Sequence, residues 1–229
     1  MNSQPEVGAI ITAAGESKRM GGVDKVMALL GGKPILARVI GAFQGCEQIN
    51  RIVIVLNELN LEWGRQLVNQ YGWSKVTDVC PGGQRRQDSV AAGLSHLQGC
   101  NWVVIHDGAR PLVSRGLISQ GLKEAEETGA AAAAIPVTDT IKVAGGDMLV
   151  QETPPRHSLW AVQTPQVFRS DIIYEVHHRQ VEAEVTDDAS LVEQSGYRVK
   201  LYMGAYDNIK ITTPDDLALA EVLWRKHEK

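Results

Sequence analysis

Short, continuous runs of apolar and β-branched residues alternate with amphipathic segments along the whole of this 229-residue chain. The runs Val7–Ile11, Ile52–Leu56, Val76–Val79, Trp102–Ile105, Ala132–Val137, Leu159–Val162 and Val199–Met203 read as strands. Several are apolar without alternation, the pattern of strands covered on both faces. Between them, Ile35–Phe43, Leu61–Asn69, Ser89–Leu97, Leu117–Thr128, Asp171–Gln180, Ala189–Ser195 and Pro214–Lys229 carry helical spacing. Repeated strand–helix units bury both faces of a sheet by laying helices on each side. The expectation is therefore an α/β, doubly wound, mostly parallel, Rossmann-like sheet in one domain over residues 1–229. The last helix is the best signalled. Thr213 can cap it, Pro214 takes the first helical position, and Asp215 and Asp216 fill the first turn.

One segment breaks the rhythm. Thr140–Val143 and Leu149–Glu152 are short extended stretches joined through Ala144-Gly145-Gly146-Asp147, which reads as a β-hairpin in an inserted arm over residues 138–157. Two strands alone are marginal in water, so the arm is expected to pack on its own domain or on a second subunit.

Charge and cysteine usage narrow the function. Lys+Arg is 23 against Asp+Glu 27, a net charge of -4. No basic stripe of the kind that tracks a nucleic acid is present. The local clusters Lys18/Arg19/Lys25 and Arg85/Arg86 instead suit a small anion. No run approaches the ~18 apolar residues of a membrane helix, and Met1–Glu6 lacks a basic region followed by an apolar core. Cys46, Cys80 and Cys100 are an odd set without CxxC spacing, which predicts buried, reduced thiols in a cytoplasmic protein.

Five segments can carry chemistry. In the turn after the first strand, Ala13, Ala14 and Gly15 let backbone approach a phosphate, with Arg19 and Lys25 as cations. It is neither GxGxxG nor a P-loop. Cys80–Ser89 offers backbone amides at Gly82 and Gly83, with Asp88 and Ser89 placed to cap a helix. His106-Asp-Gly-Ala-Arg-Pro111 ends a strand, where Asp107 is the candidate for ribose or Mg²⁺ and His106 is expected to hydrogen-bond within the loop. Thr164-Pro-Gln-Val-Phe with Thr186-Asp-Asp-Ala-Ser190, and Asp207-Asn-Ile-Lys210, complete the set. No HExxH or GxSxG occurs, and His177-His178 is expected to be solvated.

Taken in series, Ala13-Ala14-Gly15…Lys18-Arg19-Met20…Lys25, Gly82-Gly83…Arg86…Asp88-Ser89, His106–Pro111, Pro136-Val-Thr-Asp-Thr140, Thr164–Gln166, Thr186–Ser190 and Asp207–Lys210 resemble the 2-C-methyl-D-erythritol 4-phosphate cytidylyltransferase family of nucleotidyltransferases. Gln84 stands where that family commonly has an Asp. Met20–Lys25 is also similar to the guanylyltransferase of molybdenum-cofactor synthesis, a relative sharing the fold, whereas His106–Pro111 and Thr164–Gln166 favour the cytidylyltransferase. The resemblance implies CMP transfer from CTP to methylerythritol phosphate with release of pyrophosphate and a divalent cation, Mg²⁺, held at Asp107. It implies Arg19 and Lys25 on the triphosphate and transition state, and Arg156 and Lys210 on the attacking phosphate. Ala13, Ala14, Gly15, Gly82, Gly83, Ser89, Asp107 and Gly108 would bind the nucleotide, while Arg110, Thr140, Thr164 and Thr186 would face the acceptor. It further implies a homodimer joined through the arm. A cytidylyltransferase of ribitol 5-phosphate and a non-catalytic nucleotide sensor are the competing expectations.

Overall fold

The computed structural model describes residues 5–15, 24–179 and 185–227. The first half runs β1 (Val7–Ala13), the short pair β2 (Leu29–Leu30) and β3 (Lys33–Pro34), α1 (Ile35–Gln44), β4 (Arg51–Leu56), α2 (Leu61–Tyr71), β5 (Val76–Pro81), α3 (Arg86–Ser95) and β6 (Trp102–Asp107). The second half runs α4 (Arg115–Ala125), β7 (Ala130–Pro136), the ribbon β8 (Val143–Ala144) and β9 (Val150–Glu152), β10 (Trp160–Arg169), α5 (Ser170–His178), α6 (Asp188–Gln194), β11 (Lys200–Met203) and α7 (Pro214–His227).

One seven-stranded sheet, ordered β11-β7-β10-β6-β1-β4-β5, carries both halves. Its pairs are parallel except where β10 runs antiparallel between β6 and β7. The continuous apolar runs behave as their composition requires. Ala9, Ile11 and Ala13 of β1 pack with α1, α2 and α4 on one face, and Ile10 packs with α3, α5 and α6 on the other. Ile10 is fully buried, so Ile10→Ala would cost about 2–5 kcal/mol through lost transfer energy and a residual cavity. A third, smaller cluster (Leu30, Ile35, Leu112, Ile211, Ala220) seats α7 against the β2–β3 turn. The cap of α7 is as its sequence predicts: Asp216 N–H donates to Thr213 Oγ1 (3.3 Å) and Thr213 N–H to Asp216 Oδ2 (2.9 Å). No helix among the described residues is long and apolar enough to cross a membrane. The three thiols are buried and unpaired, and burial pushes that of Cys80 up to about 11.

Three expectations are corrected. The strand expected over Leu159–Val162 is Trp160–Arg169, so it takes in the whole Thr164-Pro-Gln-Val-Phe segment. A register shift between Val162 and Gln166 accommodates Pro165, which cannot donate to a ladder. Helix α3 starts at Arg86, three residues before Ser89, so Ser89 caps nothing. Asp88 closes the box instead, accepting from Arg85 N–H at 3.1 Å. The arm's ribbon is shorter than expected and shifted, pairing Val143 with Glu152 and Ala144 with Val150. Ile141, Val143, Met148, Leu149 and Val150 are all exposed on it.

Candidate active site

In an open α/β sheet the crevice for a ligand opens beyond the carboxyl ends of the strands, where the strand order reverses. Here β4 and β5 lie to one side of β1 and β6 to the other. Beyond these ends is a cleft of about 640 Å³ lined by Ala13, Ala14, Gly15, Lys25, Asn57, Gly83, Gln84, Arg85, Arg86, Ser89, Asp107 and Lys210, among others. A smaller cleft of about 200 Å³ adjoins it, lined by residues including Arg110, Thr164, Gln166, Thr186 and Asp187. Arg86, Asp107 and Lys210 line both. The site has two lobes and a charged waist.

The loops around the larger cleft are held from below by packing. A Cβ on Gly82 would stand 2.4 Å from Ala14 Cβ and 2.6 Å from Ser89 Oγ, and one on Gly108 would stand 2.8 Å from Ala13 Cβ. These two glycines, expected to meet the ligand, line neither cleft; they let three loops close on one another. Gly83 does reach the larger cleft, its N–H donating to Ser89 Oγ at 3.2 Å. The Lys25 ammonium lies over Gly15, 3.9 Å from where a Cβ there would stand. Its turn is tied down by Asp24, whose carboxylate accepts from Val26 N–H and from the side chains of Asn57 and Asn60.

Asp107 ends β6 as the centre of charge. Lys210 Nζ lies 3.0 Å and Arg110 Nε 3.3 Å from its Oδ2, with Arg86 Nε 3.7 Å from Oδ1. Burial pushes its carboxyl up, but Lys210, Arg86 and Arg110 together hold it well below the usual carboxylate range. His106 behind it is fully buried, and burial pushes its imidazole down to about 4, so it is neutral at pH 7. Its Nε2 faces the Arg110 carbonyl at 3.1 Å and must carry the proton. Nδ1 then accepts from the Thr164 hydroxyl at 3.0 Å, whose oxygen in turn accepts Asp107 N–H, also at 3.0 Å. His106 thus bonds locally, as expected, but also to a strand 58 residues away. Asn208 donates to the Thr164 carbonyl (2.8 Å), and its own carbonyl accepts from Arg110 Nη1 (2.8 Å), so the strand bearing Thr164 and the segment bearing Lys210 share one scaffold.

Of the residues singled out from sequence, Ala13, Ala14, Gly15, Lys25, Gly83, Ser89, Asp107 and Lys210 meet at the larger cleft, and Arg110, Thr164 and Thr186 at the smaller. Arg19 lies outside the described residues. Thr140 and Arg156 line neither cleft: both are exposed on the arm side, and Arg156 Nη1 donates to the Thr138 carbonyl at 2.9 Å. His177, expected to be solvated, is a correction. Its side chain is 8% exposed and its Nε2 stands 3.8 Å from the buried Asp188, whereas His178 is exposed. Sequence reasoning placed Arg86 only in a cluster suited to a small anion and gave no role to Asp188, although both stand inside motifs it quoted, and none to Asn57, which its place just after β4 could have flagged. Among the described residues, no group of three His, Cys, Asp or Glu is placed to hold a metal. Among the described residues Asp107 is the one carboxylate lining the larger cleft, and Oδ1 is its less engaged oxygen.

Comparison with known proteins places this geometry. A family model for 2-C-methyl-D-erythritol 4-phosphate cytidylyltransferase (IspD) matches residues 7–226. A protein of that name from Dehalococcoides mccartyi is 51% identical over 221 residues, covering 96% of this chain and 97% of its own. Another from Caldanaerobacter subterraneus is 44% identical over 225 residues, covering 96% and 99%. The crystal structure of 4-diphosphocytidyl-2C-methyl-D-erythritol synthase from Anaerococcus prevotii aligns with a TM-score of 0.87 at 30% identity over 97% of both chains. That of the cytidylyltransferase from Thermus thermophilus aligns at 0.76 and 34%, over 96% of this chain and 99% of that one.

Proposed function

The chain belongs to the 2-C-methyl-D-erythritol 4-phosphate cytidylyltransferase family, and from that premise we propose how its residues carry the reaction. The activity is a nucleotidyl transfer in isoprenoid biosynthesis by the methylerythritol phosphate route: CMP passes from CTP to 2-C-methyl-D-erythritol 4-phosphate and pyrophosphate leaves. The observation that carries the residue assignment is the pair of adjoining clefts sharing Arg86, Asp107 and Lys210. A two-substrate transfer needs two lobes that meet at the reacting phosphorus.

The acceptor's phosphate monoester has a second pKa near 6 and is mostly dianionic at pH 7. One of its oxygens bonds to the α-phosphorus of CTP while the bond from that phosphorus to the bridging oxygen of the leaving pyrophosphate breaks. No proton need move, so no general base is required. The barrier lies in bringing two polyanions together and stabilising charge as it spreads, work for position and cations. In this reading the triphosphate lies along the Ala13–Gly15 backbone beneath Lys25, and Gly83 and Ser89 meet the cytosine. Asp107 lies by the ribose, and Lys210, with Thr186 and Arg110 beside it, receives the acceptor phosphate. The burial of the Thr164 hydroxyl between His106 and Asp107 supports a scaffold role for it rather than an acceptor contact.

Magnesium enters the proposal with the nucleotide. A hard cation of this kind commonly takes one or two carboxylates plus substrate phosphates, and Asp107 Oδ1 is the protein oxygen that fits. When bound, it neutralises triphosphate charge.

We further propose a homodimer through the arm. The ribbon's strands pair with each other, its apolar side chains are exposed, and Trp160, Val162, Leu201 and Met203 expose a further apolar surface at the sheet. Arg156 follows the ribbon and lines neither cleft of its own chain, which fits a role in the partner's acceptor lobe. A cytoplasmic location completes the reading.

The test is pyrophosphate release from each nucleoside triphosphate with methylerythritol phosphate or ribitol 5-phosphate. CTP with methylerythritol phosphate is expected to dominate. Comparable turnover with GTP, or faster turnover with ribitol phosphate, would overturn the substrate assignment. CTP binding without turnover of any acceptor would favour a sensor.

A further inference from the structure

Asp188 lines neither cleft and its side chain is 1% exposed, yet it is ion-paired: Arg86 Nη1 stands 2.6 Å from its Oδ2. His177 Nε2 backs the same carboxylate at 3.8 Å from Oδ1. Burial pushes the Asp188 carboxyl up, but Arg86 and His177 hold it below the usual carboxylate range. On its other side Arg86 Nε faces Asp107 at 3.7 Å. The guanidinium therefore spans from the core to the waist of the site. Arg86 opens α3, directly after the loop bordering the larger cleft, and Asp188 opens α6, directly after Thr186 and Asp187 of the smaller cleft. A contact 102 positions apart in sequence thus ties the rims of the two lobes together.

Stability alone gives this pair little reason to exist. Desolvating two charges offsets most of their attraction, and apolar pairs of similar volume often replace buried ion pairs at no loss. This pair is also incompletely satisfied: Arg86 Nη2, both Asp188 oxygens and His177 Nε2 are buried without a well-directed hydrogen bond among the described residues. What an apolar pair cannot do is hold a guanidinium at a fixed place beside Asp107.

We propose that Asp188 is a positioning residue for cytidylyl transfer, acting through Arg86 to set the separation of the two lobes where the two phosphates meet. The inference rests on the transferase reading above. It concerns the meeting of the lobes: of the nucleotide contacts proposed above, only Asp107 at the ribose faces the pair, through Arg86 Nε at 3.7 Å, and those of Ala13–Gly15, Lys25, Gly83 and Ser89 do not include it.

Four variants test it: Asp188→Asn, Arg86→Gln, both together, and Arg86→Met with Asp188→Leu. Asp188→Asn is expected to lower kcat/KM for the acceptor by about 10–100-fold, the scale of a misplacement near 1 Å. Affinity for a non-hydrolysable CTP analogue, titrated calorimetrically without acceptor, should stay within about threefold. Arg86→Gln should behave alike, and the double variant should fall no further than the worse single, because the two act as a unit. The Met/Leu pair should melt at or above the wild-type temperature and stay slow. Losses that multiply in the double variant, analogue affinity that falls in step with turnover, or recovery of turnover by the Met/Leu pair would each overturn the proposal. Wild type is assayed in the same series, so a failure of the transferase reading appears in wild type and a failure of the positioning role in the variants alone.

Discussion

Replacing Thr164 by valine separates two roles for one residue. The family resemblance implies an acceptor contact, whereas the geometry makes its hydroxyl a joint between Asp107 N–H and His106 Nδ1, at 3.0 Å from each. All three residues are buried. Valine keeps the shape and removes the joint, leaving one donor and one acceptor unsatisfied, each costing about 1–3 kcal/mol. The centre of that range is about 4 kcal/mol in total, or roughly 8–16 °C in Tm for a domain of this size. Thr164→Ser keeps the joint and loses a methyl group, about 1 kcal/mol. Because Asp107 is anchored through its amide, turnover should fall in the valine variant and largely survive in the serine one. The assays are calorimetric melting and steady-state kinetics of all three proteins. A valine variant melting within about 2 °C of wild type, with only the acceptor KM raised, would refute the scaffold argument and return Thr164 to the substrate.

Lys25→Ala should lower kcat by about 10²–10³-fold with a smaller change in the KM for CTP, the signature of a cation acting on transition-state charge; a raised KM with intact kcat would make it a ground-state binder. Mixing Lys25→Ala with Arg156→Ala and allowing subunits to exchange should restore about a quarter of wild-type activity: half the dimers are mixed, and one of their two sites inherits neither lesion. A mixture that stays inactive, with exchange confirmed by mass, would place Arg156 in its own chain's site. His106 predicts an acid-sensitive fold. Its imidazole titrates near 6.5 when unfolded and, through burial, about 4 when folded, so the unfolded state binds the extra proton between those values. About 3 kcal/mol of stability is then present above pH 6.5 and lost as pH falls towards 4. Urea titrations of wild type and His106→Gln across that window check it, and parallel pH profiles would discard the assignment.

The sheet was legible because its strands are buried on both faces, a condition that acts residue by residue and leaves Ile52–Leu56 or Val103–Ile105 apolar throughout. The second half of β10 was not, because buried polar side chains precede its apolar Val167 and Phe168. Gln163, Thr164 and Gln166 have almost no exposure, and each is satisfied by a partner that no local pattern announces. Gln163 donates to the Ala205 carbonyl, Gln166 to Asp187, and Thr164 bonds to the end of β6. The same reason hid the pairing of Arg86 with Asp188. A charged residue near a helix start reads as solvated or capping unless the residue that buries it is known, and here that residue lies some hundred positions away. Gly82 and Gly108 show a further use of small size that no local pattern announces, which is to let neighbouring loops close on one another. The space at both is already filled by Ala14, Ser89 and Ala13. The division is physical: burial of apolar surface is decided by each residue's own chemistry, whereas burial of charge is decided by pairing. The waist of this site is built almost entirely from paired charge, so it had to be found in three dimensions.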